Sequence, residues 1–208
     1  MSVGLIGGAF DPPHVGHIAL ARRGIEAFSL DRLLVRVVAD PGHKEVETPA
    51  DTRLELARLA FAELPGTEVA LDPFARTVDS LEALGLSEPV FLVGADEFAA
   101  FLTWKKPDRI LELARLGVAT RPGVDRSRQE AVLAELAQPE RVTFFPLEPH
   151  AVSSTEIRAH VAAGLPLAGL VPSAVAAAIE RLGLYADVAP PETGGMLRED
   201  PTERTTPT

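Results

Sequence analysis

Several residue types and sequence features are missing from this chain of 208 residues, and their absence narrows the classes of protein to which it can belong. There is no cysteine, which excludes disulfides, thiolate nucleophiles and cysteine-ligated zinc. The chain has 20 basic and 30 acidic residues, and the resulting charge of −10 argues against a broad electropositive face for nucleic acid. No run of about eighteen apolar residues occurs, so we expect no membrane span and a cytoplasmic protein.

The fraction of hydrophobic residues is that expected of a chain with one folded domain. Hydrophobic residues make up 46% of the chain, enough to bury the core of a single medium domain, and nothing indicates a second one. The character changes after Tyr185, because residues 187–208 hold four prolines, five threonines and few apolar residues. Such a segment buries too little surface to offset its ordering entropy. We therefore predict a domain over residues 1–186 and a disordered tail over 187–208.

Short apolar runs rich in β-branched residues alternate with stretches of helical periodicity. Helical stretches include 53–64 and 126–136, and the apolar runs occur at 3–6, 33–38, 69–71, 90–93, 116–120 and 142–145. This alternation predicts an α/β fold, an open parallel sheet with helices on both faces. In such sheets ligands bind beyond the carboxyl ends of the strands, at the point where the strand order reverses.

The segment from Gly7 to His17 lies between the first apolar run and a helical pattern, and it carries the strongest functional signal. Its order predicts a strand, a glycine turn and a helix. Gly7 and Gly8 lack a Cβ and let backbone N–H groups approach a ligand, while the helix start adds N–H donors and a positive dipole end. His14 and His17 are three residues apart, so both rings can face one anion. A capping histidine and a plain glycine turn are the alternatives, but their joint occurrence after a strand favours a phosphate site.

Written as Gly-Gly-x-Phe-Asp-Pro-x-His-x-Gly-His, residues 7–17 resemble the signature of the nucleotidyltransferase superfamily with the HxGH motif. They resemble its nicotinate-nucleotide adenylyltransferase branch more closely. The resemblance covers residues 3–186 and implies a Rossmann-like nucleotidyltransferase fold that joins ATP to nicotinate mononucleotide, giving deamido-NAD and pyrophosphate. The chain departs from the family at Ala9, where a Ser or Thr is usual, so a hydroxyl contact near the phosphates is missing.

Residues 153–158, Ser-Ser-Thr-Glu-Ile-Arg, form a second motif about 140 residues further along the chain. Ser153 and Glu156 have the spacing of a capping box at a helix start. Capping leaves Arg158 unexplained, because a cation in the first turn faces the positive end of the helix dipole unless an anion lies there. The stretch resembles the family's Ser-Ser-Thr-x-x-Arg motif, which implies that its hydroxyls and arginine hold the ATP phosphates.

Three residues are assigned to the nicotinate nucleotide by the same resemblance. Trp104, the only tryptophan, matches a family Trp that stacks on the nicotinate ring, and ordinary packing is its alternative. Thr77 matches a family Tyr-Thr pair that reads the nicotinate carboxylate through backbone N–H groups, although Arg76 replaces the Tyr. A helix N-cap is the alternative for Thr77, and both roles are compatible. Lys44 follows the second strand and suits a phosphate oxygen as a point charge.

Two further segments resemble parts of the family that lie beside the nucleotide. Gly94 and Asp96 follow the fourth strand and match a Gly-x-Asp pattern, while an N-cap for a helix over 97–101 is the alternative for Asp96. Arg121 opens an Arg-Pro-Gly segment that resembles one near the adenine, and a plain turn is its alternative. The predicted ATP-binding residues are Gly7, Gly8, Ala9, Phe10, Gly16, Gly94, Asp96, Arg121, Ser153, Ser154 and Thr155.

The resemblance implies a direct in-line attack of the nicotinate nucleotide phosphate on the α-phosphorus of ATP, without a covalent intermediate. This nucleophile is already anionic, so alignment and charge stabilisation suffice. The predicted catalytic residues are His14, which is assigned to the β and γ phosphates, and His17 and Arg158, which are assigned to the developing negative charge. Mg²⁺ is expected to arrive with ATP, since the sequence contains no dedicated metal-ligand cluster.

Two alternative functions remain open at this point. One is a sister adenylyltransferase that uses nicotinamide mononucleotide or phosphopantetheine, and the other is a nucleotide-binding module without turnover. Trp104, Thr77 and Lys44 weigh against phosphopantetheine but hardly against nicotinamide mononucleotide, and the two histidines with Arg158 weigh against the module. The expected partners are ATP and nicotinate mononucleotide, with no nucleic acid and no membrane, and a homo-oligomer is left open.

Overall fold

The computed structural model of the chain describes residues 1–42, 46, 48–120 and 126–186. Six strands form one sheet in these ranges: β1 (Val3–Gly8), β2 (Arg32–Val38), β3 (Thr67–Asp72), β4 (Val90–Gly94), β5 (Arg115–Thr120) and β6 (Val142–Pro146). The α-helices are α1 (Val15–Phe28), α2 (Ala50–Phe61), α3 (Thr77–Leu84), α4 (Ala95–Ala99), α5 (Pro107–Leu113), α6 (Ser127–Glu135), α7 (Ser154–Ala162) and α8 (Ser173–Leu182).

All neighbouring strands of the sheet are parallel, in the order β3-β2-β1-β4-β5-β6. From the central β1 the chain first adds β2 and β3 on one side, and it then adds β4, β5 and β6 on the other side. The strand order therefore reverses between β1 and β4, and the crevice at the carboxyl ends of these two strands is where ligands bind in sheets of this type. The predicted open parallel α/β sheet is confirmed.

Helices cover both faces of the sheet, which explains why the strands carry nearly unbroken apolar runs. On one face, α1, α2, α7 and α8 pack on side chains that include Ile6, Val35 and Leu92. On the other face, α3, α4, α5 and α6 pack on side chains that include Leu5 and Phe91. None of the helices in the described ranges is long and apolar enough to cross a membrane.

The element boundaries differ from the predicted ones most clearly at the first motif. The predicted glycine turn after residue 6 is wrong, because β1 continues through Gly7 and Gly8, which pair with Arg36 and Val37 of β2. Backbone hydrogen bonding extends the strand past the last apolar side chain, and the turn begins at Ala9. Of the predicted helices, the one over 53–64 is shifted to 50–61, and the one over 126–136 is observed over 127–135.

A buried arginine ties the loops at the carboxyl ends of the strands together. The side chain of Arg53, on α2, is 1% exposed, and its guanidinium donates four hydrogen bonds to backbone carbonyls. The acceptors are Ala9 in the loop after β1, at 2.8 Å, Val38 and Ala39 at the end of β2, at 2.8 and 2.7 Å, and Thr48 before α2, at 3.0 Å. One side chain thus fixes the spacing of two loops that border the crevice.

Replacing Arg53 with Met should lower the free energy of unfolding by about 3 kcal/mol or more, because four buried or partly buried carbonyls lose their donor together. Urea denaturation measures the effect. The matched control is Arg58→Met on the same helix, whose exposed side chain predicts a change within about 0.5 kcal/mol. Equal stabilities for the two variants would contradict the role given to the guanidinium.

Candidate active site

A cleft of about 1080 Å³ opens at the carboxyl ends of the strands, beside the point where the strand order reverses. The structure brings to this one cleft every site residue predicted from the sequence that lies in the described ranges. They are Gly7, Gly8, Ala9, Phe10, His14, Gly16, His17, Thr77, Gly94, Asp96, Trp104, Ser153, Ser154, Thr155 and Arg158. Lys44 and Arg121 lie outside the described residues, so their placement stays a prediction.

The two histidines of the first motif lie at the start of α1 and stack on each other. His14 precedes the helix with an extended backbone, and its N–H donates to Nδ1 of His17 at 3.2 Å. Because that nitrogen accepts, the N–H of the His17 ring lies on Nε2. The ring centroids are 3.7 Å apart, and the ring of Phe10 packs edge-on against His17 at 5.0 Å. Phe10 is 2% exposed, so its side chain supports His17 and only its backbone can meet a ligand.

The environment of His14 keeps its ring neutral. Burial lowers its pKa from the usual 6.5 to about 4, while nearby Glu156 raises it and His150 lowers it by smaller amounts. Nδ1 of His14 is buried and has no hydrogen-bond partner in the described part of the chain. A ring in this state can donate or accept one proton at the site, and an anion bound beside it would favour the charged form.

The second motif meets the first one through direct hydrogen bonds. Ser154 Oγ donates to the carbonyl of Pro12 at 2.9 Å, and Arg158 Nη1 donates to the carbonyl of Asp11 at 2.7 Å. The start of α7 is thereby anchored to the loop that leads into α1, so the hydroxyls, the arginine and the histidines border the same space. The predicted convergence of residues separated by more than 140 positions is observed.

The capping role of the second motif is also confirmed. Ser153 is the N-cap of α7, and its Oγ accepts the N–H of Glu156 at 3.1 Å and donates to Oε2 of Glu156 at 3.0 Å. Arg158 Nη2 lies 3.4 Å from Thr155 Oγ1. The cation that capping alone could not explain therefore lies beside a hydroxyl of the same motif and faces the cleft.

A contact between the two ends of the domain was not found from the sequence. The hydroxyl of Tyr185 donates to Oδ1 of Asp11 at 2.7 Å, and both side chains are buried. Burial and the neighbouring carboxylate raise the pKa of Tyr185, so the phenol stays protonated and acts as a donor. The two residues are 174 positions apart, and no periodicity or spacing links them.

The capping alternatives proposed for Thr77 and Asp96 are wrong. The N-cap of α3 is Arg76, so Thr77 is the first residue within the helix. The N-cap of α4 is Gly94, and Asp96 lies inside the first turn. The N-cap residues of both helices have an extended backbone. Helix α3 therefore begins one position earlier than a capping Thr77 would require, and α4 begins two positions earlier than a capping Asp96 would require. Both residues line the cleft, and their ligand-binding roles stay predictions.

Trp104 combines packing with exposure to the cleft. Its ring meets Phe91 and Phe101 edge-on, with centroids 6.2 and 5.4 Å away, which fixes its orientation. The side chain also lines the cleft on the same side as Thr77. Neighbouring Lys105 forms an ion pair with Asp79 at 2.8 Å, which restricts the rotation of its side chain. The packing alternative for Trp104 is thus observed together with the accessibility that stacking requires.

A family model described as cytidylyltransferase-like matches residues 5–160. A curated relative from Thermus thermophilus, named "probable nicotinate-nucleotide adenylyltransferase", is 39% identical over 194 residues, covering 89% of this chain and all of the relative. A relative of the same name from Rubrobacter xylanophilus is 35% identical over 215 residues, covering 96% of this chain and 99% of that protein. Sequence similarity therefore spans both motifs and the cleft between them.

The fold is similar to that of a solved structure of very different sequence. The nicotinic acid mononucleotide adenylyltransferase of Plasmodium falciparum, described in complex with NaAD, superposes with a TM-score of 0.71. The match covers 88% of this chain and 97% of that one at 13% identity. At that level of identity the likeness establishes the shared fold.

His14 predicts a measurable pH dependence of stability. The unfolded ring takes up a proton near pH 6.5 and the folded ring only near pH 4, so the unfolded state binds more protons between these values. The contribution of His14 to stability is therefore lost as the pH falls from about 6.5 to about 4, on the order of 3 kcal/mol in total. Urea denaturation across this range should show a shallower loss for His14→Gln than for the native chain.

His160→Gln, a histidine on α7 outside the cleft, is the control for removing an imidazole. Its stability curve is expected to run parallel to that of the native chain. If the curve for His14→Gln also runs parallel, the ring is not held neutral by burial, and the assignment of the shift to desolvation is incorrect.

Proposed function

The chain belongs to the cytidylyltransferase-like family and, within it, to the nicotinate-nucleotide adenylyltransferases, and from this we propose the roles of its residues in adenylyl transfer. The enzyme transfers the adenylyl group of ATP to nicotinate mononucleotide, forming deamido-NAD and pyrophosphate in NAD biosynthesis. The observation that most supports the assigned roles is the pair of hydrogen bonds from Ser154 and Arg158 to the loop before α1. The proposal places the reaction in the cytoplasm, where ATP is available.

The triphosphate of ATP is proposed to lie against the phosphate half of the cleft, formed by His14, His17 and residues 153–158. The backbone of Gly7, Gly8, Ala9 and Gly16 would lie beside it, with N–H donors at the start of α1. Binding of the anion would raise the pKa of His14 from its depressed value, so the ring would gain charge when the substrate supplies the compensating anion. The free enzyme then avoids a stacked pair of cations.

The chemical step proposed is a direct displacement at the α-phosphorus. The phosphate of nicotinate mononucleotide is anionic at neutral pH and needs no general base, so the enzyme supplies alignment and charge stabilisation. The Nε2–H of His17 and the guanidinium of Arg158 would donate to the phosphoryl oxygens as negative charge develops.

The acceptor half of the cleft contains Thr77 and Trp104, which are proposed to bind the nicotinate ring and its carboxylate. Trp104 offers a ring face whose orientation is fixed by Phe91 and Phe101. Lys44 is proposed to contact the acceptor, and Gly94, Asp96 and Arg121 the adenosine portion of ATP. An aromatic acid bound between such groups would direct its phosphate toward the phosphate half.

Mg²⁺ is proposed to enter with ATP. Among the described residues no group of three or more His, Asp or Glu could hold a metal ion, and the carboxylate of Asp11 accepts the Tyr185 hydroxyl. Apart from Glu156, whose carboxylate accepts the Ser153 hydroxyl, the polar side chains of the phosphate half are donors and cations, which suit the phosphates themselves. When bound to those phosphates, Mg²⁺ neutralises part of their charge.

Purified enzyme should release pyrophosphate from ATP with nicotinate mononucleotide and form deamido-NAD in equal amount. The comparison acceptors are nicotinamide mononucleotide and phosphopantetheine, which are expected to react more slowly because they lack the ring carboxylate. Binding of ATP without product from any of the three acceptors would instead indicate a nucleotide-binding module.

Replacing His17 with Ala should lower kcat by about a hundredfold or more, since one donor to the developing charge is lost. The fold should persist, because the ring lies at the cleft surface and its loss leaves the sheet intact. His160→Ala is the control and should retain normal turnover. Near-normal kcat for His17→Ala, measured on folded protein, would reject the role of this histidine.

A further inference from the structure

One charged residue interrupts the apolar strand β2 and is not assigned a role by either motif. Arg36 lies between Val35 and Val37, which are both fully buried on the opposite face of the sheet. Its own side chain points to the face shared with Leu34 and lines the cleft. A charge at this position is unusual, because strands covered on both faces ordinarily carry apolar residues.

The guanidinium of Arg36 has no partner among the residues that the structure describes. Its Nε is buried without a hydrogen bond, and none of the described carboxylates lies within ion-pair distance of it. Asp72, at the end of the adjacent β3 and also in the cleft, is already engaged, because it accepts the Ser80 hydroxyl at 2.6 Å and the Phe74 N–H at 3.0 Å. A buried donor left unsatisfied costs free energy and calls for an explanation.

Small residues flank Arg36 on both neighbouring strands. In the sheet register it pairs with Gly7 of β1 and Ala70 of β3, so all three project to the same face. A Cβ added at Gly7 would lie 3.6 Å from the ring of Phe91. The ring of Phe91 therefore lies over Gly7, and it packs edge-on against Trp104.

The position of Arg36 places it in the acceptor half of the cleft. Trp104 and the helix α3, which begins at Thr77, pack on the same face of the sheet as Leu34 and Leu5. The histidines and Arg158 come from α1 and α7, which pack on the opposite face. An anion at Arg36 thus lies on the side of the aromatic acceptor rather than on the side of the triphosphate.

We propose that Arg36 binds the ring carboxylate of nicotinate mononucleotide and determines the preference of this enzyme for the acid over the amide. The inference rests on the proposed function, since it names the part of the acceptor that this half of the cleft recognises. A guanidinium presents paired N–H donors that match a carboxylate, and the buried Nε would gain the partner it lacks. The carboxamide of nicotinamide mononucleotide carries no charge and offers a weaker acceptor.

The test compares kcat/KM for nicotinate and nicotinamide mononucleotides in the native enzyme and in Arg36→Met. We expect the ratio of the two values to fall by about 10- to 100-fold, which is the range for losing a hydrogen bond to a charged group. The change should appear in the KM for nicotinate mononucleotide, while the KM for ATP stays unchanged. Arg36→Lys keeps the charge but not the paired donors, and it should give an intermediate ratio.

Arg32→Met is the matched control, because Arg32 lies on the same strand and face but at the opposite end, exposed and paired with Glu68. It removes the same charge from the protein and should leave the ratio unchanged. Arg36→Met should also be at least as stable as the native protein in urea denaturation, since it removes a partly buried cation, with an unpaired buried Nε, without breaking a bond. A purely structural arginine would cost stability in the same experiment.

The outcomes distinguish a failure of the proposed function from a failure of the role proposed for Arg36. If the native enzyme gives no product with nicotinate mononucleotide, the proposed function fails. If the native enzyme is active and the ratio is unchanged in both Arg36 variants, Arg36 does not read the carboxylate. Equal losses with both acceptors would place the contact at their shared phosphate or ribose and would also overturn the inference.

Discussion

The site depends on the hydrogen bonds that one buried guanidinium donates to backbone carbonyls. Arg53 joins the loop after β1, the end of β2 and the segment before α2, three parts of the chain that meet at the carboxyl edge of the sheet. Burial lowers the pKa of Arg53, yet the group remains a cation at neutral pH because its usual pKa is so high. Fixed carbonyl dipoles replace the water that this charge would otherwise bind, so the loops are held in one arrangement before any ligand arrives.

The cleft holds several cationic side chains although the protein as a whole is acidic. The chain has a net charge of −10, yet five Lys and Arg residues and the two stacked histidines line the cleft beside five carboxylate residues. Stacked imidazoles 3.7 Å apart would repel each other if both were charged, and burial keeps His14 neutral. Arg158 is charged at all times, whereas the charge of His14 depends on the substrate, because binding of an anion favours protonation of the ring.

Much of the fold and many of the cleft residues were predictable because they follow from local patterns. Apolar, β-branched runs identified all six strands, and two motifs identified residues that the structure brings to one cleft. The end of β1 was misplaced because Gly7 and Gly8 pair through their backbone, which side-chain patterns do not report. Arg53 opened a predicted helix and was given no role. Its burial depends on carbonyls from other elements, and no spacing along the chain encodes that.

The hydrogen bond between Tyr185 and Asp11 has a consequence for the order of events during synthesis on the ribosome. β1 is made first but occupies the centre of the sheet, where it needs β4 as well as β2 beside it. The loop after β1 gains its hydrogen bonds at Asp11 only after Arg158 and then Tyr185 have been synthesised. A nascent chain therefore completes the hydrogen bonds of its catalytic loop only when nearly the whole domain has emerged.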